Sequence, residues 1–560
     1  MWNLKKDRRL LSSVPDRHVI RTNRDRRGSS RIPIGYGNMN DFIAGKYAGL
    51  RYQITYQIHI SCKLDDGTKV NFDCEGVDVS AVGLLVKIDE EQKRFLEDAP
   101  VIKVSFKIEP GSLPEDYGST KVVLKTKIAR LEEIQPGLYF CGLVFLKNLD
   151  QYTKSRQNIY MVMTVVFILF CIFAFTTLMR VEIMSGSWNN RPAYIFVILM
   201  ACLMLFRYFC ASFYKPKKIN PEFTPAVSLI IKCHNSEATI EDTILSCINQ
   251  DYPVEKLELI VVDYDSTDGT KVKVEQVFAR LFQEAEQFET KERLHFKHCN
   301  DIENCDAINS ASYGLLVILE SGNTMNPYCI RTLVQPFLDD KMAAVSGRII
   351  TPNAFDNHVT KIVSVMHFWQ ERIVNASESV FGAVTTIPEN MVCYRKDIIT
   401  DRKAGVKCLS KNETYYQDNA LFVETAVTTM KEYGQLHLEK RKNWIKNSCY
   451  LILVMWKKEP FMALYFYLDR ILQISAPFMI IYTCFCVPIL YGEFPFLLFI
   501  CALILSFFMS GMRYLFRKTP DWLSGTLLFF CSEIFYLFQI YWDFLKLPSR
   551  REGTNKIANK

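Results

Sequence analysis

The sequence predicts a multidomain membrane protein: an N-terminal antiparallel β-barrel, a central doubly wound α/β domain and about five transmembrane helices. Three observations predict it. Apolar residues gather into uncharged runs long enough to cross a bilayer. From Arg51 to about Leu149 apolar and polar residues alternate in the strand period. From Pro225 to Lys446 the chain opens with an apolar strand, a polar loop, an amphipathic helix and a second strand ending in acids, the signature of a βαβ unit. The predicted order is a basic arm over 1–40, the barrel over 41–152, two spans over 158–214, the α/β domain over 225–446, interfacial helices over 447–470, further spans over 471–546 and a basic tail over 547–560.

Composition fits this organisation. The 560 residues are 49% hydrophobic and 13% aromatic, which excludes a disordered tether and a single small binding module. The 67 Lys and Arg exceed the 60 Asp and Glu by 7. Mean hydropathy is close to zero, so the apolar residues matter through where they cluster. The opening 31 residues hold ten Lys or Arg against three Asp and no apolar core, which predicts a cytosolic start rather than a secretory signal. Such an arm suits a solvated tail, anionic lipid heads or a phosphate-bearing ligand. The 18 cysteines are scattered without paired zinc-type spacing, which argues against structural metal and a disulfide framework.

In the barrel region, RYQITYQIHISCKL, the turn DDGT and KVNFDCEGVDVS are followed by VIKVSFKI, KVVLKTKIARLEEI and GLYFCGLVFL. Short alternating strands separated by turns predict a small closed antiparallel sheet. Within it stands Asp78-Val79-Ser80-Ala81-Val82-Gly83, with Arg27-Gly28-Ser29-Ser30-Arg31 upstream. Here the chain resembles the PilZ family, cytosolic barrels that bind cyclic di-GMP through an R-x-x-x-R arm and a D/N-x-S-x-x-G strand end. The resemblance implies a cyclic di-GMP site at Arg27, Arg31, Arg51, Asp78, Ser80 and Gly83. Guanidinium groups suit phosphates and guanine faces, a carboxylate with a hydroxyl suits a guanine donor edge, and glycine admits close backbone approach. In the family the arm directly precedes the first strand; here Arg51 holds the second arginine's place and Tyr47 the first's. Either Arg27 and Arg31 fold back across residues 32–50, or Arg51 contributes alone.

Met161 to Met179 and Ala193 to Phe213 read as two spans, the second containing Arg207, which either lines a polar cavity or snorkels. Three more apolar stretches run from Ile471 to Leu490, Phe494 to Tyr514 and Leu523 to Leu545. Lys457, Lys458, Asp469 and Arg470 interrupt the preceding blocks, as in helices lying on the membrane surface. Five spans place the tail outside, whereas its basic sequence argues for the inside.

The central stretch PAVSLIIKCHNSEATIEDTILSCINQDYPVEKLELIVVDYDSTDGT resembles the family 2 glycosyltransferases, in particular the membrane-embedded group with cellulose, chitin and hyaluronan synthases. Arg551-Glu552-Gly553-Thr554 parallels that group's closing W-G-T-R. The resemblance implies a glycosyltransferase-A-like fold, a first acid pair gripping uridine, a D-x-D holding Mg²⁺ or Mn²⁺ under the diphosphate, a T-E-D aspartate as base and Q-x-x-R-W at the acceptor. Such a cation neutralises the leaving diphosphate, and the carboxylate removes the attacking hydroxyl's proton. The uridine acids fall on Asp263 and Tyr264, with Asp265 and Asp268 close by. The metal motif falls on Glu320-Ser321-Gly322, leaving Glu320 as the candidate ligand. The base falls on Asp418, whose simpler reading is a helix cap for the residues after it, and the acceptor motif retains Trp444, which equally suits a headgroup anchor.

Two readings follow. In one, the chain is a cyclic di-GMP-responsive protein of bacterial exopolysaccharide synthesis or secretion, multi-pass in the cytoplasmic membrane with both soluble domains cytosolic, and its transferase-like domain is a catalytically degenerate receptor or scaffold for an active synthase or export subunit. In the other it is an active processive transferase that polymerises a nucleotide sugar into nascent polysaccharide under the same control. Membrane lipid is a partner in both; a nucleic acid polymer is in neither.

Overall fold

The computed structural model describes the chain over 52–147, 191–398 and 412–492, with short gaps in each stretch, together with residues 165, 169, 172, 176, 180 and 507. The basic arm with Arg27 and Arg31, Arg51, Ser80, the predicted spans at 494–514 and 523–545 and the basic tail lie outside the described residues, apart from Phe507.

The predicted barrel is present. Strands β2 (Gln57–Lys63), β3 (Lys69–Val79), β4 (Gly83–Asp89), β5 (Val101–Ile108), β6 (Thr120–Gln135) and β7 (Leu138–Phe145) close in the order β3-β2-β5-β6-β7-β4 and back to β3, all antiparallel. Alternation explains the closure: Ile58, Ile60 and Cys62 point inward, while Gln57, His59 and Lys63 face solvent. Val104, Phe106, Leu124 and Leu143 complete that interior, each stabilising the fold by roughly 1.5–3 kcal/mol through loss of apolar surface to water. A two-residue strand β1, Tyr52–Gln53, joins the edge of β3, with Tyr52 opposite Val79 and Gln53 opposite Asp78. Helix α1 (Glu90–Glu97) adds to the all-β expectation; Asp89 and Gln92 form a capping box at its start. Gly83 is required sterically, because a Cβ there would lie 2.4 Å from the Leu143 carbonyl oxygen.

Helix α2 (Arg191–Phe213) follows. Beyond it lies a mixed sheet of eight strands: β8 (Val227–Cys233), β9 (Leu257–Tyr264), β10 (Leu294–Cys299), β11 (Leu315–Glu320), β12 (Thr324–Met325), β13 (Met342–Ile350), β14 (Val392–Arg395) and β15 (Glu413–Val423). Their order is β10-β9-β8-β11-β14-β13-β15-β12. The first four are mutually parallel and β13 is parallel to β15; β14 enters antiparallel between β11 and β13, and β12 caps β15 antiparallel. This is the glycosyltransferase-A-like arrangement expected, with two antiparallel strands added to the doubly wound pattern. Helices α3 (Ile240–Ile248) and α4 (Thr270–Glu284) connect the parallel strands, whose VSLII, LELIVV and LLVIL runs are buried along their length. The strands therefore finish along one edge, at Cys233, Asp263, His298, Glu320, Ile350 and Val423.

Helix α5 (His358–Phe368) passes through a π-helical turn, Trp369–Asn375, into the short α6 (Ala376–Ser379). Tyr328, in the turn after β12, is 7% exposed and packs among the barrel's buried residues, so the barrel contacts the α/β domain a few residues beyond Glu320.

Helix α7 (Met430–Ile452) and helix α8 (Pro460–Ile481) replace the surface helices expected over 447–470. The span starts at Pro460 rather than Ile471 and runs on to Tyr491. Asp469 and Arg470 ride inside it because both are buried and paired. Among the described residues two helices, Arg191–Phe213 and Pro460–Tyr491, are long and apolar enough to cross a membrane, against the five expected. Of the first predicted span only Val165, Leu169, Ile172 and Thr176 are described, all helical and exposed.

Candidate functional site

In open α/β sheets ligands bind outside the carboxyl ends of the strands. There, Cys233, Asp263 and His298 stand in one row across three neighbouring parallel strands, Asp263 in register with both others. Asp263 is fully buried. The Ser266 hydroxyl donates to its Oδ1 at 2.5 Å, His298 Nδ1 lies 2.8 Å from its Oδ2, and Cys233 Sγ lies 3.9 Å from Oδ1. Burial first, and Asp263 next, push the Cys233 thiol up to about 12. The expected uridine acid is thus occupied within the chain, while Asp265 is exposed beside it.

The loops after β8 and β9 are cross-linked. The Asn235 side chain accepts from the Thr267 amide at 2.9 Å, the Asn235 amide donates to Ser266 Oγ, and the Glu237 amide donates to Asp268. The Thr270 hydroxyl and amide donate to Asp268 as well, and these bonds hold its carboxyl below the usual range. Asn235 and Asp265, each two residues beyond the row, both adopt φ of +48°. Left-handed backbone at non-glycine residues is stored strain and recurs at functional sites.

Glu320 ends β11, exposed, and accepts from Asn390 Nδ2 at 2.9 Å. The second acid of the metal motif is replaced by Gly322, with φ of +92° and its amide donating to Thr243 Oγ1 at 3.0 Å. Among the described residues no three His, Cys, Asp or Glu converge as metal donors. Glu320, with an oxygen already hydrogen-bonded and no second acid in its motif, does not by itself meet the oxygen-rich coordination that Mg²⁺ or Mn²⁺ requires. Among the described residues, those at the metal-motif positions do not fit the divalent cation that the resemblance implies.

Asp418 does not reach this edge. It lies within β15, five residues before the strand's end, where the register with β13 shifts between Ser346 and Arg348. Tyr416 Oη donates to its carboxylate at 2.7 Å, and its amide donates to Tyr214 Oη at 3.1 Å. Nor does it cap a helix, since Ala420 to Val423 continue the strand. The acid that β15 delivers to the edge is Glu424, whose amide donates to the Ile350 carbonyl at 3.0 Å. Its Oε2 lies 3.7 Å from Nε2 of the buried His367. Burial chiefly, with Glu320 nearby, pushes the Glu424 carboxyl up; burial and then Lys440 hold the His367 imidazole well below its ordinary range. Glu424, His367 and His298 escaped the sequence reading because none lies in a motif. The one available signal was an acid directly after a buried apolar strand end.

Trp444, on α7, lies under two guanidiniums, with Arg470 4.5 Å and Arg441 5.8 Å from the ring centre. Arg470 belongs to a buried network joining both candidate spans to the α/β domain. Arg207 Nη2 pairs with Asp469 Oδ1 at 2.8 Å and its Nε donates to Tyr465 Oη at 2.6 Å; Arg470 Nη1 pairs with Asp469 Oδ2 at 3.2 Å and its Nη2 donates to Thr385 Oγ1 at 3.3 Å. Thr385 in turn donates to Glu378 through both amide and hydroxyl. Arg207 therefore does not snorkel; it forms a buried ion pair.

In the barrel the backbone of Asp78 lies between Gln53 on β1 and Leu85 on β4, and Gly83 opens β4 wedged against β7. Arg27, Arg31, Arg51 and Ser80 lie outside the described residues.

Residues 228–387 match the family model described as Glycosyl transferase family 2. The chain is 24% identical over 276 residues to "Probable glycosyltransferase YdaM" of Bacillus subtilis, covering 48% of this chain and 64% of that protein. It is 27% identical over 207 residues to an "N-acetylglucosaminyltransferase" of Rhizobium leguminosarum bv. viciae, covering 35% and 44%. It is 25% identical over 195 residues to "Poly-beta-1,6-N-acetyl-D-glucosamine synthase" of Staphylococcus aureus (strain COL), covering 33% and 43%. A solved mannosyltransferase, PcManGT from Pyrobaculum calidifontis in complex with GDP-Man and Mn²⁺, aligns at 16% identity over 63% of this chain and 99% of its own, with a TM-score of 0.44. The matches span less than two thirds of the length of these curated relatives. The α/β domain thus carries a match to the Glycosyl transferase family 2 model and is similar to proteins named as polysaccharide synthases, and the family match ends before Asp418 and Trp444.

Proposed function

We propose that this chain is a cyclic di-GMP-responsive protein of exopolysaccharide synthesis or secretion, multi-pass in the cytoplasmic membrane with barrel and α/β domain in the cytosol. In this reading the family 2 domain serves as a receptor or scaffold for a partner synthase or export subunit and transfers no sugar itself. The observation that carries it is the depleted metal motif: Glu320 stands without the motif's second acid, which is Gly322, and Asp418 is locked in mid-strand by Tyr416 and Tyr214. Phosphoryl-linked leaving groups need charge neutralisation, and a domain without it can still present a surface.

The signalling half is supported by the pairing of Tyr52–Gln53 with Asp78–Val79. The strand that continues directly from Arg51 runs beside the Asp78 strand end, so the sequence order favours Arg51 as the guanidinium that meets the dinucleotide. A ligand bound there acts on the remainder only through differential affinity for two conformations. The test is calorimetry of the full chain in lipid nanodiscs with cyclic di-GMP, comparing Asp78→Ala, Arg51→Ala and Arg27→Ala with Arg31→Ala. Saturable binding lost in Asp78→Ala and Arg51→Ala supports the reading; no binding by the unaltered chain sinks it. Exopolysaccharide output in cells should be insensitive to Asp418→Ala and sensitive to Asp78→Ala.

A second reading, an active nucleotide-sugar transferase, is favoured by the position of Glu424. It lies at the edge where an acceptor hydroxyl would have to lose its proton, with Glu320 nearby. UDP release from UDP-sugars by the full chain, abolished by Glu424→Gln and retained in Asp418→Ala, would select it. No release with any UDP-sugar, with or without Mg²⁺ and cyclic di-GMP, would remove it.

A further inference from the structure

The outer wall of the barrel is uneven in charge and polarity. On β5, β6 and β7 the alternation that sends Val104, Leu124 and Leu143 inward sends Lys103, Lys125 and Lys127 outward, together with Val123, Val144 and Leu146. Register gathers them: Lys103 is directly opposite Lys125, Lys127 is opposite Val144, and the Leu146 amide donates to the Lys125 carbonyl at 2.9 Å. Lys147 follows, also exposed. Among the described residues no acid takes an outward position on this part of the wall or on the adjacent β2. The exposed Asp73 and Glu75 stand instead on β3, three strands from β6 on the far side of the barrel. Like charges directly across a strand pair destabilise it, and aliphatic side chains left in water forgo burial; Val123, Val144 and Leu146 keep 46%, 44% and 53% of their surface exposed. Both costs are offset against a surface that is anionic outside and apolar beneath.

We infer that this wall of the barrel docks on an anionic lipid surface, its lysines at the headgroup phosphates and its three aliphatic side chains at the boundary between headgroups and acyl chains. Chain length favours this occupant over a separate macromolecule. β7 ends in the wall itself, and thirteen residues, Asn148 to Tyr160, lead from Lys147 to Met161, where the first predicted span begins. Fully extended they reach about 45 Å, so the wall is tethered within that distance of the bilayer. The N-terminal arm, with ten Lys or Arg against three Asp, has the wrong charge to cover it. The contact orients the barrel on the membrane. It rests on the membrane reading of the chain, and on neither cyclic di-GMP binding nor sugar transfer.

The experiment is lysine acetylation, read by mass spectrometry, on the full chain in nanodiscs of phosphatidylcholine alone or mixed equally with phosphatidylglycerol. Lys103, Lys125, Lys127 and Lys147 should be labelled at least about fivefold more slowly in the anionic discs, the attraction of a single lysine to a charged bilayer, and high salt should abolish the difference. Lys69, exposed on β3, is the reference and should be labelled alike in both. Lys125→Glu with Lys127→Glu should restore fast labelling at Lys103 and Lys147, and Leu146→Ser should restore it in part. The comparison of lipids uses the unaltered chain, so it decides the matter even where a variant fails to fold. Equal labelling in the two lipids, or slowing that persists at high salt or in the double charge reversal, overturns the inference and leaves the membrane reading standing. A chain that stays in solution without detergent and does not enter nanodiscs overturns both.

Discussion

Deleting the Asp469 carboxylate should uncouple the candidate spans from the domain they carry. Asp469 is 2% exposed, and its Oδ1 accepts from Arg207 and from Gln473 Nε2, each at 2.8 Å, while Oδ2 faces Arg470 at 3.2 Å. Asp469→Ala leaves two guanidiniums, 5% and 4% exposed, with Glu378 as the nearest remaining acid in the network, and burial pushes that carboxyl up toward its neutral form. Removing one partner of a buried pair costs roughly 3–5 kcal/mol, because the other charge is stranded. Arg207→Gln in the same chain withdraws one stranded charge, so the double variant should recover about 2 kcal/mol relative to the sum of the single ones. The assay is denaturant or thermal unfolding in nanodiscs at one scan rate, since membrane proteins often unfold irreversibly. Effects that add to within about 0.5 kcal/mol would refute the claim that these residues act as one network.

Other outcomes follow from the same geometry. Gly83→Ala places a methyl against the Leu143 carbonyl; it should cost about 1–3 kcal/mol and appear as faster hydrogen exchange in β4 and β7, whereas unchanged protection there would show that the strands can separate freely. His367 is held neutral by burial, well below 6.5, so the unfolded chain takes up a proton near that value that the folded chain does not. Stability should therefore fall as pH drops below 6.5, by up to about 1.4 kcal/mol per pH unit until the folded imidazole itself titrates; His367→Gln should flatten the decline in melting temperature between pH 7 and 5, and an identical slope would contradict it. Tyr328→Ala, by removing the ring that packs against the barrel's buried residues, should cost about 3–5 kcal/mol and let the barrel melt separately from the α/β domain, and a single unshifted transition would count against that contact.

Much of the architecture was legible because it is written in local pattern. The alternation of Ile58, Ile60 and Cys62 with polar neighbours defines a half-buried strand whatever the rest of the chain does. The buried runs of β8, β9 and β11 likewise announce parallel strands with both faces covered. The site was less legible. Aligning motif spacing put the base at Asp418, but the strand bulge near Arg348 and the strand that follows deliver Glu424 to the edge instead. Asp469 and Arg470 read as marks of a surface helix because a charge in a span looks prohibitive until its partners are known.

Sequence alone determined the elements: run length sets which helices can span, and periodicity sets which face of a strand is dry. Tertiary structure decided which polar groups are paired, since an ion pair or hydrogen bond depends on the closeness of residues far apart in the chain. Arg207 meets Tyr465, 258 positions later; Asp263 meets His298, 35 positions later. Whether a carboxylate is free to meet a ligand is a property of those meetings, and no window of sequence contains them.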